Sequence, residues 1–204
     1  ESGAAQKFHQ TWLGYTETKG SPELRQEIAK TYQSIDIEEI LVHAGAEEAV
    51  FIFMNAALEP DDHVIVHFPS YQSHSSIAQS IGCDVEWWKS HEADNWEVDL
   101  DWLREAIRPN TKASGIICPH NPTGYVMGRA KLEELVAICR QHNILLFSDE
   151  VYRFLEYRDD DTLPAACDLY ENAVSLGVMS NTYGLAGWRI DRIATQNQEI
   201  KKAM

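Results

Sequence analysis

The chain has 204 residues, which is long enough for one domain with a sizeable buried core. Its formal net charge of −15 and isoelectric point of about 4.8 argue against nucleic acid or an anionic membrane as a partner. Hydrophobic residues make up 44% of the chain, yet no apolar run approaches transmembrane length and no signal-peptide pattern opens the sequence. The sequence therefore predicts a cytoplasmic protein without a membrane partner.

Short apolar runs alternate with helical patterns from residue 21 onward. Ser21 and Pro22 are typical of a helix start, and Leu24, Ile28 and Tyr32 then form one apolar face. Further helices are predicted over 47–58, from after residue 71 to about 81, over 100–107, over 129–142 and from 197. Strands are predicted over 40–44, 63–68, 83–88, 113–118, 144–148, 173–178 and 188–195. This alternation predicts an α/β fold, with helices on both faces of a mostly parallel seven-stranded sheet, and no domain boundary is visible.

The four cysteines are spaced in a way that matches no metal-binding or redox motif. No two of them form a Cys-x-x-Cys pair, and they are Cys83, Cys118, Cys139 and Cys167. Apolar surroundings favour buried free thiols over disulfides or metal ligands. We therefore predict no metal site.

The stretch NILLFSDEVY, residues 143–152, is the centre of the predicted sheet. Its continuous apolar run is typical of a parallel strand that is buried on both faces. Asp149 and Glu150 end that strand, at the position where open α/β sheets bind their ligands. A helix-capping aspartate is the alternative interpretation of Asp149.

Two further motifs flank this stretch: Asn121-Pro122-Thr123-Gly124 before it and SNTYGLAGWRI, residues 180–190, after it. In this order and spacing, the three stretches resemble the large domain of class I/II aminotransferases, the fold-type I enzymes that use pyridoxal 5′-phosphate (PLP). The resemblance covers nearly the whole chain. It implies that residues 1–204 form the PLP-binding large domain, without the C-terminal small domain that about doubles the length of family members. It also implies an enzyme that transfers an amino group between an amino acid and a 2-oxo acid, and a homodimer.

The resemblance assigns one group of residues to the cofactor phosphate. Ala46 and Glu47 would offer backbone N–H groups where a strand becomes a helix, and the Glu47 side chain should then point outward, away from the phosphate. Arg189 would grip the phosphate, with Ser180 as a secondary contact. Tyr15 would reach the phosphate of the partner subunit. An ordinary glycine turn before Ala46 and a surface tyrosine at 15 are the alternatives.

A second group would hold the cofactor ring. Asp149 matches the carboxylate that pairs with the pyridine nitrogen and keeps it protonated. Asn121 and Tyr152 match the two donors to the phenolic oxygen, and Tyr71 matches the aromatic residue that stacks on the ring. A core tyrosine at 71 and a plain Asn-Pro turn at 121 are the competing interpretations.

The pattern breaks where the family carries the lysine that binds the cofactor covalently. Asn181 stands there, and a carboxamide can neither form a Schiff base nor shuttle a proton. Asp191 replaces a glycine, and strand alternation would place it on the same face as Arg189, roughly 6–7 Å along the chain, where it would compete for the guanidinium or repel the phosphate. An alteration of the natural sequence at both positions stays open as an explanation.

The function that the sequence predicts is therefore a PLP-dependent aminotransferase by family, with this chain inactive as written. Another fold-type I reaction, such as that of a lyase, a decarboxylase or an oxidase, is an alternative because those enzymes share the same motifs. A catalytically dead homologue is the other alternative, favoured by Asn181.

Overall fold

In a computed structural model of the chain, which describes residues 3–12, 14–15 and 17–204, seven strands form a single sheet. The strands are β1 Ile40–His43, β2 His63–Phe68, β3 Asp84–Lys89, β4 Thr111–Ile117, β5 Leu145–Asp149, β6 Ala173–Val178 and β7 Asp191–Ala194. The α-helices are α1 Gly3–His9, α2 Pro22–Ala29, α3 Ala46–Ala57, α4 Ser73–Ile81, α5 Leu100–Ala106, α6 Arg129–His142, α7 Ala166–Leu169 and α8 Gln198–Ala203. The seven strands lie where the sequence predicts them, within a few residues at each end.

The strand order in space is β1-β7-β6-β5-β4-β2-β3. The four pairs from β6 across to β3 are parallel, whereas β7 runs antiparallel to both β1 and β6. The prediction of a mostly parallel sheet is confirmed. The chain moves outward from β2 to β3, returns past β2 to β4 and continues to β5 and β6. This reversal between β2 and β4 creates a crevice at the carboxyl ends of the strands, where ligands of such folds bind.

Helices cover both faces of the sheet, as predicted. On one face α5 and α6 pack over a core that includes Leu103, Leu135 and Leu146. On the other face α3 and α4 pack over a core that includes Phe53 and Phe147, whose rings stack at 4.8 Å between centroids. Leu146 and Phe147 are neighbours in β5 that point to opposite faces, and both are almost fully buried. This two-sided burial explains the continuous apolar run of β5.

The prediction for the last strand is wrong at its start. The prediction placed Arg189 within a strand over 188–195, but β7 begins only at Asp191. Ala186–Trp188 forms a 3₁₀ turn, and Arg189 follows in a left-handed conformation with φ of +52°. Alternation within a strand therefore does not relate Arg189 to Asp191.

Two helices lack a counterpart in the sequence prediction. The first is α1, which has seven residues, and the second is α7, which has only four residues. The predicted start of α2 is confirmed, because the Leu24 N–H donates to Ser21 Oγ at 3.2 Å and Pro22 opens the helix.

All four cysteines are buried and form no disulfide. Within residues 3–12, 14–15 and 17–204, we find no group of three or more His, Cys, Asp or Glu side chains placed to hold a metal ion. No helix of the described chain combines the length and the apolar character needed to span a bilayer.

Candidate active site

A cavity of about 260 Å³ lies at the carboxyl ends of the central strands. It brings together nine of the ten residues to which the sequence assigns a role, although they come from six separate stretches of the chain. They are Ala46, Glu47, Tyr71, Asn121, Asp149, Tyr152, Ser180, Asn181 and Arg189. The tenth residue, Tyr15, does not line this cavity, and its side chain is 98% exposed.

One part of the cavity, called the anion corner here, has groups that suit a bound anion. Helix α3 begins there after Gly45, which has φ of +125° and offers no side chain to cap the free N–H groups of the first turn. The Arg189 guanidinium packs directly against Gly45, since a Cβ atom at position 45 would lie only 2.0 Å from Arg189 Nη2. Helix dipole, free N–H groups and guanidinium therefore converge on one point, which suits a phosphate.

Asp149, at the end of β5, also lines the cavity. Asp149 is only 4% exposed, and its Oδ1 accepts a hydrogen bond from the Val151 N–H at 3.1 Å. Its Oδ2 lies 3.0 Å from Nε2 of His74, at ion-pair distance but outside hydrogen-bond geometry. His74 therefore lies against the carboxylate from the side of α4.

The sequence analysis missed His74. This residue is buried against Phe147, with ring centroids 5.4 Å apart in an edge-on arrangement, and it lies three residues after Tyr71. A spacing of three residues places side chains on one face of a helical turn. The three-residue spacing from Tyr71 was the one sequence feature that could have drawn attention to His74. It gave no indication that His74 lies beside Asp149.

The expectation that Glu47 points outward is wrong. Glu47 lines the cavity, and its carboxylate lies close enough to the Tyr71 hydroxyl to affect the pKa of that group. Hydrogen bonding by Glu47, together with its negative charge, raises the pKa of Tyr71. Near the first turn of α3 the helix dipole stabilises this carboxylate, whose negative charge still repels an incoming anion.

Asp191 does not pair with Arg189, contrary to the sequence expectation. Asp191 is 2% exposed, and its Oδ1 accepts a hydrogen bond from the Met179 N–H at 3.0 Å. Among the described residues, no carboxylate lies within 4.0 Å of the Arg189 guanidinium, whose Nη1 donates instead to the Ala186 carbonyl at 3.4 Å. Asp191 nevertheless lines the cavity, so its charge acts on any bound ligand.

A pair of buried histidines fastens the Asn121 turn to the loop that carries Tyr71. His120 Nε2 donates to the Pro69 carbonyl at 2.8 Å, and its Nδ1 lies 2.6 Å from Thr123 Oγ1. His67 stacks on His120 with ring centroids 4.1 Å apart. The two loops that flank the cavity are therefore held together by neutral imidazoles.

The His67–His120 pair predicts a stability that falls in acid. Burial, followed by the nearby His120, lowers the pKa of His67 from its ordinary 6.5 to about 3. Below pH 6.5 the unfolded chain binds a proton at this position and the folded chain does not, so folding weakens as the pH falls from 6.5 towards 3. Through His67 alone, we expect the free energy of unfolding to fall by about 2 kcal/mol between pH 7.5 and pH 5. Urea denaturation at both pH values should show that His67→Gln loses less stability in acid than the unmodified chain. Equal losses of stability in the two proteins would contradict the lowered pKa of His67.

Comparison with known proteins gives the family of this chain. Residues 3–204 match the model of the family described as aminotransferase class I and II. The chain belongs to the class I and II aminotransferase family. It is 29% identical over 206 residues to the aspartate aminotransferase of Sulfurisphaera tokodaii, a match that covers 98% of this chain and 52% of that protein. It is 33% identical over 187 residues to the glutamate-pyruvate aminotransferase AlaA of Escherichia coli K12, covering 88% of this chain and 46% of that protein.

Solved structures of aminotransferases carry the same fold. The crystal structure of a PLP-dependent aminotransferase from Streptococcus suis superposes with a TM-score of 0.90 at 36% identity, covering 98% of this chain and 52% of that one. This aminotransferase-family chain therefore spans about half the length of the relatives it matches.

Proposed function

We propose that residues 1–204 are the PLP-binding large domain of an aminotransferase, and that the family's small domain is no part of them. The parent activity is transfer of an amino group from an amino acid to a 2-oxo acid. One observation carries this proposal: the start of α3 with Arg189, which together suit an anion, and a buried carboxylate, Asp149, line a single cavity. These groups around one cavity suit a ligand that carries both a phosphate and a protonated ring nitrogen.

The residues around the cavity fit PLP group by group. The free N–H groups of Ala46 and Glu47, with Arg189 and Ser180, would hold the phosphate. Gly45 supports this assignment, because its missing side chain lets the Arg189 guanidinium lie against the start of α3.

The ring contacts come from other strands. Asp149 would pair with the ring nitrogen, Asn121 and Tyr152 would donate to the phenolic oxygen, and the half-exposed Tyr71 would stack on the ring face.

When bound, PLP supplies an electron sink for a carbanion at the amino-acid Cα. The chain's contribution is to hold and orient that group. Asp149, beside His74, would favour a protonated ring nitrogen, and Asn121 and Tyr152 would donate hydrogen bonds that orient the ring. Asn181 provides neither a nucleophilic amine nor a group that can carry a proton between atoms. We therefore propose that this chain binds the cofactor reversibly and does not catalyse transamination as written.

Two points about the parent protein belong to the same proposal. A cytoplasmic homodimer would place Tyr15 against the partner's phosphate, and the exposure of Phe8, Trp12 and Tyr15 supports a contact along this N-terminal segment. Sedimentation of the longer parent protein as a monomer alone would refute the dimer. The relatives do not agree on one amino donor, since one is an aspartate aminotransferase and another is a glutamate-pyruvate aminotransferase. The proposal therefore names no particular amino acid.

Cofactor binding is the experiment that tests this function. Equilibrium dialysis should show saturable uptake of PLP by the unmodified chain. Arg189→Ala should weaken this uptake by roughly 10-fold to 100-fold, because the loss of a charge-assisted hydrogen bond costs about 1.5–3 kcal/mol. Arg158→Ala is the matched control, since Arg158 is exposed and lies outside the cavity lining. The absence of saturable uptake, or equal losses in both variants, would refute the proposed site.

A further inference from the structure

The cavity lining carries an excess of negative charge. Glu47, Asp149 and Asp191 line it with carboxylates, and among the described lining residues Arg189 is the only Arg or Lys. The three carboxylates and the one guanidinium of the lining sum to a formal charge of −2, and the imidazole of His74 is not counted in this sum. Such a lining disfavours a ligand that brings a phosphate alone and favours one that also brings positive charge.

Two of the lining residues produce most of this excess. Asn181 lines the cavity where the family pattern has a lysine, so one positive charge is missing. Asp191 stands where the pattern has glycine, so one negative charge is added. Asp191 is 2% exposed, and weak screening by solvent at such a site strengthens its effect on a ligand.

We propose that this pocket selects the amine form of the cofactor, pyridoxamine 5′-phosphate, over the aldehyde form. This inference rests on the proposed cofactor site. The aldehyde has no amine at position 181 to react with, so it gains no covalent stabilisation there. A protonated 4′-amine instead returns one positive charge to a lining of −2, and the Asn181 carboxamide oxygen is an acceptor suited to an ammonium group.

Three ligands isolate the contribution of the 4′ substituent, because they share the ring and the phosphate. They are pyridoxamine 5′-phosphate with an ammonium group, PLP with an aldehyde and pyridoxine 5′-phosphate with a neutral hydroxymethyl group. Isothermal titration of the chain should give pyridoxamine 5′-phosphate a dissociation constant at least about tenfold below the other two.

Asp191→Asn tests the electrostatic cause. The carboxamide oxygen can still accept the Met179 N–H, so the variant removes the charge and keeps the hydrogen bond. The preference for the amine over the hydroxymethyl ligand should fall several-fold. Glu47→Gln removes a second charge at an exposed position, so it provides the same test should Asp191→Asn fail to fold.

The outcomes separate this inference from the function on which it rests. Equal or tighter binding of PLP or pyridoxine 5′-phosphate would overturn the amine preference and leave the cofactor site standing. An amine preference that is unchanged in Asp191→Asn or Glu47→Gln would overturn the role of the negative lining. Failure of all three ligands to bind would overturn the proposed cofactor site together with this inference.

Discussion

Asn181→Lys is expected to convert a reversible cofactor site into a covalent one. Residue 181 lines the cavity together with Ser180, Arg189 and Asp149. An amine at this position can react with the cofactor aldehyde, and it also removes one unit of the negative excess. After incubation with PLP and reduction with borohydride, mass spectrometry should find close to one pyridoxyl group per chain on residue 181. The unmodified chain should carry almost none at that position.

The expected size of this effect depends on Asp191. Its buried carboxylate lines the same cavity, so Asn181→Lys combined with Asp191→Gly should bind PLP more tightly than Asn181→Lys alone. Asn181→Gln is the matched control, because it is of similar size and lacks the amine. A label on Lys112, Lys131 or Lys201 in place of residue 181 would mean that the motif has been assigned to the wrong position.

The site was largely predictable from sequence because parallel strands bring distant motifs to one edge. Asn121 follows β4 and Asp149 ends β5, and the parallel register of these two strands aligns their carboxyl ends. Hydrophobic runs of strand length identified both strands, and the Asn-Pro and Asp-Glu motifs marked their ends. The fold followed from these local patterns and the rules of parallel sheets, whereas the resemblance to class I/II aminotransferases supplied the roles predicted for the lining residues.

The contacts that hold these residues in place could not be predicted in the same way. His74 meets Asp149 across a distance of 75 residues in sequence, and His120 meets Pro69 across 51. Such contacts depend on how α4 and the loops pack against the sheet. The hydrophobic periodicity of the sequence carries no information about that packing. The relation of Arg189 to Asp191 was predicted wrongly for a local reason: a 3₁₀ turn ends at Trp188, so the strand begins later than its apolar pattern suggests.

Glu150, the second carboxylate of the Asp-Glu pair, has a structural role that its neighbour does not share. Successive side chains point to opposite faces, so Asp149 faces the cavity while Glu150 enters the opposite side of the sheet. Its Oε1 accepts hydrogen bonds from the Ala166 N–H at 2.8 Å and from Ser175 Oγ at 2.7 Å. Burial raises the pKa of Glu150, and the charge of the nearby Arg153 opposes that rise.

Glu150→Ala is expected to destabilise the fold by about 3–5 kcal/mol, because two buried donors lose their acceptor at roughly 1–3 kcal/mol each. The substitution leaves the Ala166 N–H and the Ser175 hydroxyl without an acceptor, and it leaves the buried Arg153 without its nearby opposite charge. Glu150→Gln keeps an acceptor oxygen in place and should cost only about 1–2 kcal/mol.

Urea denaturation of the two variants beside the unmodified chain measures this difference. A lower midpoint for Glu150→Ala, with an unchanged slope, would show lost stability in the folded state. A loss below 1 kcal/mol, or equal losses for the two variants, would contradict the network. Asp149 precedes Glu150 directly, so a weakened anchor at 150 also loosens the carboxylate that faces the cavity. We therefore expect Glu150→Ala to bind PLP more weakly than Glu150→Gln, although residue 150 does not line the cavity.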